Sequence, residues 1–320
     1  MGNPITSQIH INKPLTNLSI QYSQDIANNF VNSKVFPVVP VVKSSDRYYV
    51  YDMATMFSTN AQRRLPNTET AGTGYRLSND TYSCDVFGVH DDVSDQDRAN
   101  ADAPLNPDQD STEVVTQDLL LKQELDWLGK YFTTSVWTGS STGTDVTPGT
   151  LWSAGGTPIK NMRTEIKSVK NKCGKPANLV VLSEDVWDVL IDHADLTARI
   201  KNSDDKIPTL DLLARILEVE RVLIAGGVKN TAKEGQTATL SAVASKDVLI
   251  VYAAPRPGLK QPSAGYTFQW NGLIGAATNG IRIKKYRMEH LAADRIEGEM
   301  AYDHKVVNAT MGSFMNNVIA

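Results

Sequence analysis

Residues 110–137 read DSTEVVTQDLLLKQELDWLGKYFTTSVW. Within them Val114, Leu121, Leu125, Leu128, Phe132 and Val136 recur at steps of seven, four, three, four and four. Those steps put all six on one stripe of an α-helix. Asp108 and Asp110 bring negative charge to the first turn, where the helix dipole is positive, and Ser111 is the candidate cap. Only Gly129 interrupts the run, and a glycine inside a helix costs about 1 kcal/mol relative to alanine, too little to break it. The stretch therefore predicts a single helix from Asp110 to Trp137, roughly 40 Å long at 1.5 Å per residue. Its apolar stripe has to be covered by another layer.

Upstream, residues 1–42 mix polar and β-branched residues, carry Pro4, Pro14, Pro37 and Pro40, and offer only a short helix between Tyr22 and Val31. They read as an extended arm, with Ile9, Ile11, Leu15, Leu18 and Ile20 as apolar anchors that need a surface to lie on. Val38 to Met53 is β-branched and aromatic and reads as a strand; Thr81 to Val89 alternates and reads as a second. Between them Ser58 to Asn79 is rich in Thr, Asn, Arg and Gly, the polar tip of a two-stranded ribbon. Two strands alone bury too little to be stable, so the ribbon needs a neighbour, in this chain or in another copy.

Downstream, Thr138 to Pro158 holds five glycines among Ser and Thr and reads as a flexible linker and a domain boundary. Helices and strands then alternate. Thr157-Pro158 opens a helix through Ile159, Met162, Ile166, Val169 and Cys173 that Gly174 can close. Asn178 to Leu182 is a buried type of strand, and Ser183 is expected to cap a helix through Val186, Leu190 and Ile191. Pro208-Thr209 opens a helix from Leu210 to Leu217, and strands follow at Arg221–Ile224 and Asp247–Tyr252. β texture returns at Tyr266–Trp270, Ile281–Met288 and on to about Ala301. The expected class is α+β: late strands beneath the long helix, with an inserted α/β unit at one end.

At 320 residues, 41% apolar and 21% charged, the chain has the composition of a folded globular protein. A net charge of -4 gives no footprint for wrapping nucleic acid. Cys84 and Cys173 form neither a CxxC nor a disulfide framework, and no apolar run is long enough to cross a membrane. His10, His90, His193, His290 and His304 are scattered without ligand spacing. Asp192-His193-Ala194-Asp195 is an acid–base pair only by adjacency, without a nucleophile in view. Asp91, Asp92, Asp95, Asp97 and Asp102 lack the Gly and Glu of a calcium loop and read as acids around a short helix. Gly72-Thr73-Gly74 and Gly226-Gly227 match no phosphate loop, and Trp127, Trp137 and Trp187 read as core residues. No catalytic, cofactor-binding or metal residue is assigned, and no enzyme activity is expected.

The order of parts is informative: arm, β-ribbon, Asp-rich lead-in, long helix, α/β insert, terminal strands. With Val35-Phe36-Pro37-Val38-Val39-Pro40-Val41, Arg47-Tyr48-Tyr49-Val50-Tyr51, Asp91-Asp92-Val93-Ser94-Asp95 and Asn178-Leu179-Val180-Val181-Leu182-Ser183, it resembles the major capsid proteins of tailed bacteriophages with the HK97-type fold. The resemblance implies an N-terminal arm at 1–42, an extended ribbon (the E-loop) at 43–85 and a peripheral domain at 86–150 and 275–320. The last would carry the spine helix at 110–137, and an axial domain would span 151–274. It implies self-assembly as hexamers and pentamers into an icosahedral shell around phage DNA, in a virion built in the bacterial cytoplasm; the net charge of -4 leaves only weak non-specific contact to that DNA as the expectation. Such proteins either carry an N-terminal scaffolding region removed by a protease or rely on a separate scaffold; an arm of about 40 residues is short for the former, so a separate scaffolding protein is expected, with a portal, in some cases a decoration protein, and no membrane partner. Some relatives crosslink a ribbon lysine to a neighbour; here no lysine lies between Ser44 and Thr81, so no such bond is expected through the tip. The rival readings are an encapsulin-like compartment of the same fold and a monomeric α/β enzyme or binding protein.

Overall fold

A computed structural model describes residues 26–101, 105–200, 208–233, 235–258, 260–274 and 280–320. The arm anchors Ile9 to Ile20, together with His10 and Asp102, lie outside the described residues. Two short helices, α1 (Ile26–Asn29) and α2 (Asn32–Val35), lead into β1 (Val38–Val41). The ribbon follows as β2 (Ser45–Tyr51), α3 (Met53–Met56) and β3 (Leu77–Ser83), then β4 (Asp85–Ser94), α4 (Asp95–Asn100) and the long helix α5 (Pro107–Tyr131). Next come α6 (Pro158–Cys173), β5 (Leu179–Ser183), α7 (Glu184–Asp192), α8 (Ala194–Ile200) and α9 (Leu210–Leu217). After β6 (Arg221–Ala225), a small hairpin of β7 (Val228–Asn230) and β8 (Leu240–Ala242) precedes β9 (Val248–Val251). The remaining strands are β10 (Gly265–Trp270), β11 (Ile281–Met288), β12 (Ala293–Val306) and β13 (Gly312–Met315).

Strand β12 organises the first sheet. One of its edges carries antiparallel β4 from Ala293↔Ser94 to Tyr302↔Asp85, and the other is shared by β11 at its start and β10 at its end. Parallel β1 extends the sheet beyond β10. Helix α5 lies across this sheet, with Val115 and Leu119 packed among Ile281, Met300 and Tyr302. Gly298 of β12 leaves the room: a Cβ there would strike the side chains of Val115 and Leu119. The second sheet runs β13-β9-β5-β6. Its central strands are wholly buried and carry uninterrupted apolar runs, as expected of strands covered on both faces.

The long helix differs from its expected bounds at both ends. It starts at Pro107, which needs no backbone donor in the first turn, so Ser111 lies inside the helix and is buried. It ends at Tyr131, because Trp137 folds back and its indole N–H donates to the Tyr131 carbonyl at 2.8 Å. The buried stripe is also different: Ser111, Val115, Leu119, Glu124, Trp127 and Leu128 face inward, whereas Val114 is 53% exposed. An apolar count steps over Ser111 and Glu124 and so selects the wrong rows.

The stretch 138–157 is not a flexible linker. Thr138, Gly139, Val146 and Trp152 donate backbone N–H groups to the carbonyls of Ala309, Gly312, Phe314 and Val318. Gly139 serves close approach, since a Cβ there would fall on the carbonyl oxygens of Thr310 and Gly312. Buried Glu165 of α6 accepts from the backbone and hydroxyl of Ser141 and from the Ser313 hydroxyl, closing the seam.

The strand expected at Val38–Met53 is two strands in different sheets, and the one at Thr81–Val89 breaks at Cys84. Buried Cys84 donates its N–H to Ser44, which closes the mouth of the ribbon. Strand β10 joins the sheet under α5, as expected of the late strands although the resemblance puts it in the 151–274 span, whereas β13 leaves those strands and joins the second sheet through β9.

Candidate assembly surfaces

The ribbon is anchored at its base and bare toward its tip. Strands β2 and β3 pair in register from Ser45↔Ser83 to Tyr51↔Leu77. At the base, Tyr82 stacks on Phe268 of β10 with ring centroids 4.6 Å apart, and Tyr48 packs on the same ring at 5.3 Å. Ser83 donates its N–H to the Asp303 carboxylate. The Tyr48 hydroxyl donates to Asp80, and burial together with that acceptor pushes the phenol well above its usual range. Farther out, Asp52 caps α3 by accepting from Ala54 N–H. Met53 touches the main core, and Phe57 lies against Gly174 at the end of α6. Beyond these two contacts Tyr49, Met56, Leu65, Tyr75 and Leu77 are all exposed. An apolar set of this kind on a two-stranded ribbon is surface awaiting cover.

Sheet edges are open as well. Among the described residues β4 and β11 each pair only with β12, β1 only with β10, and β6 only with β5. Their unpaired N–H and C=O groups can accept a further strand.

Behind these surfaces, ion pairs tie α4, α5, β11 and β12 to one another. Asp108, in the first turn of α5, accepts from Arg98 of α4 and Lys285 of β11, each at 2.8 Å. Arg287 of β11 grips Asp95 with two nitrogens at 2.6 Å each, and Asp294 of β12 bonds Arg98 at 3.0 Å. The nearby cations hold the Asp95 and Asp108 carboxyls below their usual range. On the face of the sheet away from α5, Glu299 pairs with Arg282 and Lys284, and Arg295 grips Asp92 with two nitrogens at 2.7 Å. Arg282, Lys284 and Glu299, and likewise Arg295 and Asp92, lie on neighbouring strands, where such pairs are in reach.

Glu124 joins the arm to the helix. Fully buried on α5, its two carboxylate oxygens accept from the backbone N–H groups of Val31 and Asn32, each at 3.0 Å. It thereby caps α2, which has no side-chain cap of its own. Burial outweighs those two bonds and raises its pKa to about 7. Phe36, just beyond α2, packs edge-on to Trp127 at 5.5 Å.

The residues weighed for chemistry are dispersed. His90 and His290 are exposed; His304 is buried, hydrogen-bonded to Thr267, and kept neutral by a pKa lowered through burial to about 4. His193 follows the end of α7, and its Nδ1 accepts from Asp195 N–H. The Asp195 carboxylate is engaged elsewhere, by Ile159 N–H and Arg199. Asp92 and Asp95 are held by arginines, while Asp97 accepts from Ser94, the cap of α4. Among the described residues no group of three His, Cys, Asp or Glu side chains is placed to hold a metal. Gly72 to Gly74 lies in the exposed ribbon tip, and Gly226 packs beside Asn29. Trp127 and Trp137 are buried, and Trp187 packs partly buried against the main core. Sequence reading missed Glu124 and Glu165 because their partners lie far off in the chain.

No family model matches the chain. It is 23% identical over 316 residues to the major capsid protein of Pseudomonas phage JBD67, covering 97% of both chains. It is 24% identical over 280 residues to that of Burkholderia phage BcepMu, covering 83% of this chain and 86% of the relative. Among solved structures, a phage-related protein of Bordetella bronchiseptica RB50 superposes with a TM-score of 0.67 at 18% identity, over 93% of this chain and 94% of that one. The mature capsid of bacteriophage PhiM1 gives 0.60 at 12%, over 96% and 91%. The SrpI encapsulin of Synechococcus elongatus gives 0.58 at 10%, over 100% and 98%. Matched nearly end to end in sequence and in shape, the chain has the fold of the phage major capsid proteins, the HK97-type fold.

Proposed function

We propose that this chain is a structural major capsid protein that assembles with copies of itself into an icosahedral shell enclosing phage DNA. One observation carries the reading: a long ribbon, anchored at its base and through Met53 and Phe57, presents Tyr49, Met56, Leu65, Tyr75 and Leu77 to solvent beside unpaired sheet edges. Such a subunit gains stability when neighbours cover it, and head-to-tail contacts around an axis close into rings. The likeness to two phage major capsid proteins, over 97% of this chain in one case and 83% in the other, supports the same role.

In this reading the ribbon at 43–85 reaches over an adjacent copy and α5 is the spine of the peripheral unit at 86–150 and 275–320. The α/β unit at 151–274 points toward the axis of a hexamer or pentamer, and the arm at 1–42 adds contacts between copies. A separate scaffolding protein sets shell size in the bacterial cytoplasm, a portal occupies one vertex, and a decoration protein is a further candidate partner. The ribbon tip forms no lysine crosslink. Electron microscopy of the purified chain, with varied salt and scaffold, tests the assignment. Rings or shells are expected, and a persistent 35 kDa monomer overturns it. Shells of uniform diameter from this chain alone would remove the scaffold.

The likeness to an encapsulin favours a second reading, a compartment built around a protein cargo. Nucleic acid inside purified particles supports the capsid; a bound cargo peptide supports the compartment.

A further inference from the structure

Helix α6 separates its two faces by charge. Ile159, Met162, Glu165, Val169 and Cys173 are buried, and Glu165 spends its carboxylate on Ser141 and Ser313. The opposite face consists of Lys160, Arg163, Thr164, Lys167, Lys170 and Asn171, all exposed. Their spacing of three and four makes one straight row, about 15 Å long from Lys160 to Lys170 at 1.5 Å per residue. No acidic residue lies in that row. Arg163 bonds Glu218 at 2.9 Å, and the Asp195 carboxylate beside the helix start is taken by Ile159 N–H and Arg199. Among the described residues no carboxylate lies within ion-pair reach of Lys160, Lys167 or Lys170. Such a row is unusual in a chain whose net charge is -4.

The composition of the row selects the partner. Protein interfaces favour aromatic and apolar anchors and are depleted in lysine, and the row has no exposed apolar or aromatic side chain. A phosphate backbone asks only for cations and hydrogen-bond donors in line, which Lys, Arg, Thr and Asn supply. We infer that the outward face of α6 is a contact surface for the phosphate backbone of nucleic acid. The surface is sequence-blind and weak. That it meets a packaged genome rests on the shell reading; that it binds phosphates does not.

The test is the salt dependence of binding between the unassembled full chain and a fluorescent 30-base-pair duplex. Three lysine–phosphate contacts make affinity fall about 40-fold between 50 and 200 mM salt. The triple variant Lys160→Glu, Lys167→Glu, Lys170→Glu should lose at least tenfold in affinity at 50 mM and most of that salt slope. The variant Lys122→Glu, Lys130→Glu, Lys246→Glu changes net charge equally on other elements and should keep more of both. Equal losses in the two variants, no measurable binding by the wild type, or tighter binding of polyglutamate than of DNA would overturn the inference. Circular dichroism confirms that each variant is folded, and Lys→Gln at the same three sites, with a smaller loss expected, replaces the first variant if it is not. Electron microscopy of the same protein under assembly conditions, with varied salt and scaffold, tests the shell separately: absence of particles there sinks that reading and leaves the DNA titration to decide this one.

Discussion

At the scale of single residues, Glu124 has the sharpest consequence. Its folded pKa of about 7 stands above the ordinary 4.5, because burial disfavours the charge more than two backbone donors favour it. The folded chain therefore holds this proton more tightly than the unfolded chain does. By linkage, the contribution from Glu124 is fully favourable below about pH 4.5 and is lost as pH rises through about 7. A displacement of this size corresponds to at most about 3 kcal/mol. The Lys34 charge also lowers the pKa and is outweighed. Glu124→Gln should remove this titration and, by turning an amide NH2 toward a backbone N–H, cost about 1–2 kcal/mol at neutral pH. Urea midpoints of both proteins between pH 5 and 8 check it: the difference between the two curves should shrink as pH rises. A difference that stays flat refutes the assignment.

Gly139 makes the complementary point about backbone. Gly139→Ala should destabilise by several kcal/mol, on the order of 2–4, because two carbonyl oxygens occupy the space of the new methyl group. Thermal melting measures it, with Gly149→Ala as the control, since nothing lies within 4 Å of a Cβ there.

Among elements, α5 shows what periodicity can and cannot read. The helix itself was legible, as were α6 and α9, because proline at a first turn, glycine at an end and a threonine cap act through neighbours a few residues away. Which side of α5 faces inward was not legible. That choice is made by β4 and β12, by Gly298 leaving room for Val115 and Leu119, and by a buried glutamate whose partners are more than 90 residues away. Adjacent residues make the test. Val115→Ala should cost about 2 kcal/mol and Val114→Ala less than about 0.5, by chemical denaturation. The reverse order would restore the stripe read from the sequence. The glycine-rich stretch 138–157 misled for a related reason: glycine marks loose chain and close approach alike, and only the distant strand at Gly312–Met315 decides between them.

For the whole molecule, surface left bare in one copy is the material of assembly. Leu65→Ser with Tyr75→Ser should leave the melting temperature of the isolated subunit within about 1–2 °C, since both are exposed. Light scattering should show assembly slowed or abolished. Normal shells from this variant would mean the tip is not covered by neighbours. The order of parts was readable from sequence at this scale, as was the place of β10 among the late strands under α5; the return of β13 to the second sheet was not, because its position after β12 suggests the first.

The position of β13 also bears on synthesis. Strand β9 takes β5 on one edge and Gly312–Met315 on the other, and Val146 and Trp152 bond to the same returning segment at Phe314 and Val318. During translation the seam cannot close until residue 318 has left the ribosome, when β5 has already waited for more than a hundred residues. An interrupted chain ending at Val307 keeps its ribbon and its long helix but leaves β9 and the stretch 138–157 without their partner. A chain that stops there therefore carries a built-in defect: its second sheet lacks an edge strand and should not reach the stability of the full chain.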